Sequence, residues 1–432
     1  MTHRPMTSDK ITPIYELPES GEVPLYDGDF ELTVENDTQV FQGVLILTIG
    51  ERTRLQARIR GNDRMFSRYS EADNRRLLIP SPRSTGSPAS RQNGLDTSPA
   101  GLTISLPAIS SGDVGLIECV IFHLIGTVSE IPLPRVDTQD GPQGQICLPM
   151  PGWQVVLAEV NSAADARESA FVIQATPDRL PVSIEEVSHL RERLFLLLSF
   201  AAGKEIGLGP DVGLDGSRQV VWATWGAPRY STREPGRTWC PDNIYNEALP
   251  MLARGLSDLA DKPTLEKAVL RAIDYLLAAQ GHQPLDVRLP VACSGLELMG
   301  WAVLQHFGWA TADTLGRLSA AATATLLLQW ARIPTSIQPD QKALIGRQTR
   351  VGQRDWRGPD VIFNVRNGLV HPPKKFDAPE WPMGKEVDQA LTLALSYLET
   401  TILRALSYAG KYSNRLSTKW LGQTESVPWS SV

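Results

Sequence analysis

The spacing of apolar residues changes part-way along this chain, and that change limits its possible folds more than any single motif does. Up to residue 178 they come in short runs, at about 30–35, 39–49, 54–59, 102–106, 115–124, 153–157 and 170–174. These runs are rich in β-branched and aromatic residues, alternate in part, and are broken by Asn-Asp and Gly-Glu turn signals. From residue 243 the apolar positions recur at helical spacing, with helices expected at about 243–260, 264–280, 285–307, 311–332, 358–371 and 384–411. In the last, Leu391, Leu395, Leu398, Ile402 and Leu406 make one stripe, with Ser396, Glu399, Thr400, Arg404 and Ser407 opposite. A single helix near 182–202 and strands near 205–208 and 219–225 join the halves. The expected fold class is α+β and multidomain: a β-rich sandwich or barrel-like domain over 28–235, then an all-α bundle over 236–415. Residues 1–27 are expected to be disordered or extended and 416–432 a flexible tail. The Ser-, Pro- and Gly-rich stretch 80–101 reads as a flexible surface loop.

A chain of 432 residues has room for two or three cores. Its 42% hydrophobic and 21% charged content is ordinary for a globular protein. The net charge of −6 means that any nucleic-acid binding must rest on a local patch. Cys119, Cys147, Cys240 and Cys293 are scattered, without CxxC pairs or histidines at ligand spacing, so they read as reduced thiols. No metal site and no cofactor are called for. The N-terminus lacks the apolar run of a signal peptide, and no contiguous run reaches the ~18 apolar residues of a membrane span. The expected location is therefore cytoplasmic, with no membrane partner. Neither a G-x-x-x-x-G-K loop nor a G-x-S-x-G elbow occurs, which removes P-loop ATPases and serine hydrolases of that type.

One short helix carries chemistry. Gly358-Pro359-Asp360 is a good helix start and Pro372-Pro373 a firm stop. Between them stands Arg366-Asn367-Gly368-Leu369-Val370-His371. This resembles the R-x4-H signature of HEPN domains, in which a polar residue, often Asn, follows the arginine. The long helix that follows, with YLETTILRALSYAGKYSNR, resembles the closing helix of the ApeA-like branch of that family. SGLELMGW, in the helix expected at 285–307, resembles that branch's opening bundle helix. The resemblance covers about 285–415. It implies an HEPN-like helical bundle and a metal-independent endoribonuclease, with Arg366, Asn367 and His371 as catalytic residues. It also implies a homodimer joined through the bundle, with paired motifs around one cleft. The setting it implies is bacterial defence or a toxin, in which RNA cleavage halts translation. The β-rich domain would then sense a trigger ligand or protein of unknown identity.

The residue types suit that chemistry. Metal-independent cleavage of RNA needs a base for the 2′-hydroxyl proton, an acid for the leaving 5′-oxygen, and positive charge where the phosphorane forms. Histidine is the common proton carrier, here His371. Arg366 supplies a forked cationic head suited to phosphate oxygens. Asn367 can orient the imidazole or donate to a phosphate oxygen. On an ideal helix Asn367 and His371 share a face, whereas Arg366 and His371 are rotated by about 140°. Two arrangements relieve this: the helix unwinds at His371, before Pro372, or the site is shared across a two-fold dimer, as the resemblance implies; both together are expected.

Between residues 332 and 375 nine basic residues stand against three acids. Arg347, Arg350, Arg354, Arg357, Lys374 and Lys375 are the candidate RNA contacts, most of them in a stretch, 334–357, expected to be a polar loop. Glu297 reads in two ways: an active-site acid facing the dyad, or a carboxylate at the core's edge paired with an arginine. Trp222, Trp225 and Trp239 read as packing residues ahead of a base-stacking platform. Two other functions stay open. One is a catalytically inactive HEPN-like bundle that dimerises or binds RNA; the other is a ligand-binding β domain with a helical adaptor.

Overall fold

The computed structural model describes residues 10–17, 21–34, 37–50, 53–60, 66, 75–79, 94–98, 101–106, 108–125, 133–138, 141–161, 169–231, 238–371, 381–382, 384–417, 420 and 422–430. The chain forms two compact units, Met1–Phe195 with Ile206–Arg233, and Leu196–Glu205 with Glu234–Val432. The first is β-rich and the second helical, so the fold is α+β and multidomain as expected.

Two antiparallel sheets make the β unit. One contains β1 (Gly21–Val34), β2 (Asp37–Ile49), β3 (Arg54–Ile59), β4 (Arg75–Leu78), β5 (Gly94–Ser98) and β6 (Gly101–Leu106), in the order β4-β1-β2-β3-β6-β5. The other contains β7 (Ala108–Gly112), β8 (Cys119–Ile125), β9 (Arg135–Thr138), β10 (Gly141–Met150), β11 (Trp153–Asn161), β12 (Ser169–Pro177), β13 (Gly207–Leu214) and β14 (Val220–Gly226), in the order β7-β14-β13-β8-β12-β11-β10-β9. Period-2 alternation explains the strands read from sequence: Phe30, Leu32 and Val34 of β1 share a core with Leu55, Ala57 and Ile59 of β3. The alternation rule does not find β4, β5, β7, β9 and β10, which are very short or carry Gly and Pro. β5 falls inside the stretch expected to be a flexible loop and pairs with β6; residues 80–93 and 99–100 of that stretch lie outside the described residues.

Residues 10–17 lie on the second sheet. The Gln143 side chain accepts from the Ile11 N–H at 3.0 Å and donates to its carbonyl at 2.7 Å, the pairing a neighbouring strand would give. His123 Nε2 accepts from the N–H groups of Ile14 and Tyr15, both at 3.1 Å, while Nδ1 lies 2.7 Å from the Pro210 carbonyl. That pattern fixes a neutral ring protonated on Nδ1. Helix α1 (Ile184–Ala202) opens with a capping box: Ser183 Oγ accepts from the Glu186 N–H, and the Glu186 carboxylate accepts from the Ser183 N–H.

The helical unit contains α2 (Tyr245–Ser257), α3 (Pro263–Gln280), α4 (Leu285–His306), α5 (Ala312–Arg317), α6 (Ala320–Ala331), α7 (Lys342–Arg350), α8 (Gly358–Val370) and α9 (Lys385–Ala405). Three expectations need correction. The helix expected at 311–332 is two, because the Ser319 hydroxyl caps a new start at Ala322 N–H. Of the polar residues expected opposite the stripe of α9, Ser396, Glu399 and Thr400 are buried, whereas Arg404 is partly exposed and Ser407 exposed. The threonine hydroxyls of α9 bond back to carbonyls one turn earlier, Thr400 to Ser396 at 2.7 Å and Thr401 to Tyr397 at 2.9 Å, and need no water. Glu399 accepts from Gln280 at 3.1 Å and from Arg415 Nε at 2.9 Å. Finally, the tail is not free: β15 (Lys411–Tyr412) pairs with β16 (Glu425–Ser426), Val427 and Trp429 are buried, and Trp429 Nε1 donates to the Tyr408 carbonyl at 2.6 Å.

Among the described helices, α4 is long and apolar enough to cross a membrane by length and composition. Asp286, Arg288 and Glu297 interrupt its apolar residues, so a search for contiguous runs passes over it. One side of it is core, with Leu289, Cys293, Leu296, Met299 and Val303 buried.

Candidate active site

Helix α8 presents the motif. Its start is as the sequence suggests, with Pro359 in the first turn and the Asp360 carboxylate accepting from the Arg357 N–H at 2.9 Å. Val361, Ile362, Phe363 and Val365 are buried, which turns Arg366 and Asn367 toward the edge of the bundle. The helix ends at Val370. His371 is extended, with φ −112° and ψ 123°, and its N–H still donates to the Asn367 carbonyl at 2.9 Å. The expected unwinding before Pro372 is therefore present, since a following proline disfavours the helical conformation. The His371 side chain is exposed.

Across from α8, Glu297 on α4 faces Arg366, with Nη2 to Oε1 at 3.8 Å. Arg366 Nη1 also donates to Asn367 Oδ1 at 3.0 Å. Arg366 Nε and Glu297 Oε1 are buried atoms without a hydrogen-bond partner. An ion pair this long, with unused hydrogen-bonding atoms on both sides, differs from a closed structural pair. Cys293 lies beneath both: burial pushes its thiol up, the Arg366 charge opposes, and Glu297 adds to the rise. Of the two sequence readings of Glu297, the structure shows the pairing with an arginine. No interaction joins the Arg366 guanidinium to the His371 ring among the described residues. Two residues before Glu297, α4 passes close to α9: a Cβ at Gly295 would meet Leu398 Cδ2 at 2.7 Å.

The candidate RNA contacts separate into distinct groups. The stretch expected to be a loop holds α7, and Arg347 on it is buried. Its Nε donates to Asn364 Oδ1 at 2.7 Å and its Nη1 to Glu386 at 3.2 Å, tying α7, α8 and α9 together. Arg347 as a direct RNA contact is therefore corrected: it is part of the support beneath the motif. Arg350 is half-exposed and also pairs with Glu386. Arg354 and Arg357 are exposed and carry no ion pair among the described residues. Lys374 and Lys375 lie outside the described residues.

Sequence reasoning missed the Arg347–Asn364–Glu386 support. The available signal was Leu344, Arg347 and Gln348, spaced as one helix face inside a segment too polar to suggest burial. It also missed why the motif reads Asn-Gly. A Cβ at Gly368 would meet Pro382 Cγ at 2.8 Å, so the chain after the motif folds back on that position.

Residues 262–426 match the YopA C-terminal domain. The matched segment runs from the start of α3 to β16 and contains Glu297, Arg366, Asn367 and His371. The β unit lies outside it. No curated protein and no solved structure matches the chain.

Proposed function

We propose that the helical unit is a metal-independent endoribonuclease of the HEPN type. The supporting observation is the open Arg366–Glu297 pair, with Asn367 bonded to the same guanidinium and His371 turned to solvent at the end of the same helix. In this reading the 2′-oxygen attacks phosphorus and its proton goes to His371. The P–O5′ bond breaks, and the leaving 5′-oxygen takes a proton from the second His371 of a two-fold dimer. Arg366, held by Glu297 and Asn367, meets the charge on the phosphorane oxygens.

The dimer has a candidate surface. On α4, Val287, Val291, Ser294, Leu298 and Trp301 recur at alternating four- and three-residue spacing, and all are exposed or partly exposed. Val287 is 46% and Trp301 40% exposed, and the stripe borders Glu297. An uncharged, self-complementary stripe suits a second copy across a two-fold axis. The β unit would act as the sensor, in a cytoplasmic bacterial defence or toxin setting.

One observation favours an inactive RNA-binding or dimerising bundle instead: Arg366 and His371 do not touch. The two readings part on one experiment. Purified protein in EDTA should cut total RNA and leave 2′,3′-cyclic phosphate ends, and Arg366→Ala and His371→Ala should each lower the rate by roughly 10²-fold or more while staying folded. Cleavage that needs Mg²⁺, or full activity in both variants, would reject the assigned chemistry.

A further inference from the structure

Away from the motif, the C-terminal ends of α4, α6 and α9 bring together an aromatic and cationic group. Phe307 stacks on Trp330, with ring centroids 5.2 Å apart at 33°, and His306 meets Phe307 edge-on at 4.8 Å. The Arg404 guanidinium lies between Trp330, at 5.8 Å, and Trp429, at 5.5 Å. Its Nε is buried without a hydrogen-bond partner. Burial and the nearby charge of Arg332 together hold Arg404 below the usual arginine range. Two guanidiniums are thus near neighbours, and among the described residues neither has a carboxylate partner.

Pinning the C-terminal lap accounts for Trp330, Arg404 and Trp429 but not for the rest. Phe307 is 48% exposed, although it meets both Trp330 and His306. Arg332 is exposed and ends α6 in the left-handed region at φ 58°, a position where glycine is the relaxed choice. A cation held in that conformation beside a second one leaves an unneutralised positive patch next to aromatic rings.

We infer that this end of the bundle binds single-stranded nucleic acid, with Phe307 taking an unpaired base and Arg332 and Arg404 the adjoining phosphate. Stacking on an aromatic face with a cationic neighbour is the general chemistry of strand binding without sequence preference. The site lies about 15 Å along α4 from Glu297, at 1.5 Å of rise per residue. A strand held here would pass toward the motif. The choice of RNA as the natural ligand rests on the endoribonuclease reading.

The test is fluorescence anisotropy on the full chain with a fluorescein-labelled 2′-O-methyl oligouridylate, which binds like RNA but lacks the attacking hydroxyl. Phe307→Ala should weaken binding about 10-fold, the scale of one lost base stack. Arg332→Gly relaxes the backbone, so its thermal stability should hold or rise. Its affinity should nevertheless fall, and the slope of log affinity against log salt should shrink by about 0.7, one phosphate contact on a single strand. Wild-type affinity in either variant, or a native protein that does not bind the probe, overturns the site. A chain that binds here yet leaves RNA uncut keeps this site and loses the nuclease; cleavage with both variants binding normally does the reverse.

Discussion

Replacing Asp211 by Asn should make the β unit acid-sensitive, although Asp211 is itself an acid. Burial pushes the Asp211 carboxyl up from 3.8 to about 6, against the pull of Arg191, whose Nε lies 3.0 Å from its Oδ2. Burial pushes the His123 imidazole the other way, from 6.5 down to about 4, with the Pro210 carbonyl opposing. The linkage signs are opposite. For His123 the unfolded chain takes up the proton first, so stability falls as pH drops from 6.5 to 4, by about 3 kcal/mol. For Asp211 the folded chain takes it up first, so stability rises as pH drops from 6 to 3.8, again by about 3 kcal/mol. Both groups are buried, so little of either effect is lost to solvent. In the native protein the two nearly cancel. In Asp211→Asn only the His123 loss remains, and its stability should fall between pH 7 and pH 4 by about 3 kcal/mol more than that of the native chain. The assay is urea unfolding at several pH values, with β8 and β13 followed by pulsed hydrogen exchange so that the β unit is read alone. Other carboxylates contribute equally to both proteins. Parallel profiles for the two proteins would refute the opposed-titration argument.

Three further outcomes concern the motif. Arg347→Met removes the buried guanidinium beneath α8, leaving Asn364 Oδ1 without that donor and Glu386 paired with Arg350 alone, so urea unfolding should show a loss of about 1–3 kcal/mol in the helical unit. The exposed Arg354→Met should change it by less than about 0.5 kcal/mol, and equal effects would remove the support role. Gly368→Ala should cost about 1–3 kcal/mol by overpacking against Pro382, measured in the same way; no change would remove close approach as the reason for glycine there. Mixing His371→Ala chains with Arg366→Ala chains should restore part of the RNA cleavage if the site spans a two-fold dimer, and a mixture as inactive as its parents rejects a shared site.

Periodicity by itself determined the β-rich and helical halves, because alternation and 3.6-residue recurrence are properties of neighbouring residues along the chain. It also determined α8, whose Pro359 and Asp360 start and Pro372 stop are local chemistry, and the extended backbone at His371. Residues 10–17 and 422–430 escaped it. Their order comes from partners far along the chain, Gln143 and His123 for one and Tyr408 for the other. Spacing puts Glu399 and Thr400 opposite the apolar stripe of α9, where such residues are usually exposed; only the packed bundle shows them buried, with Thr400 bonded to a carbonyl and Glu399 to Gln280 and Arg415. At the site the sequence supplied Arg366, Asn367 and His371, and left Glu297 with two readings. Tertiary structure decided that Glu297 faces Arg366 and that Arg347 is buried support, because which charge meets which depends on helices crossing in space, and spacing along one helix carries no record of that.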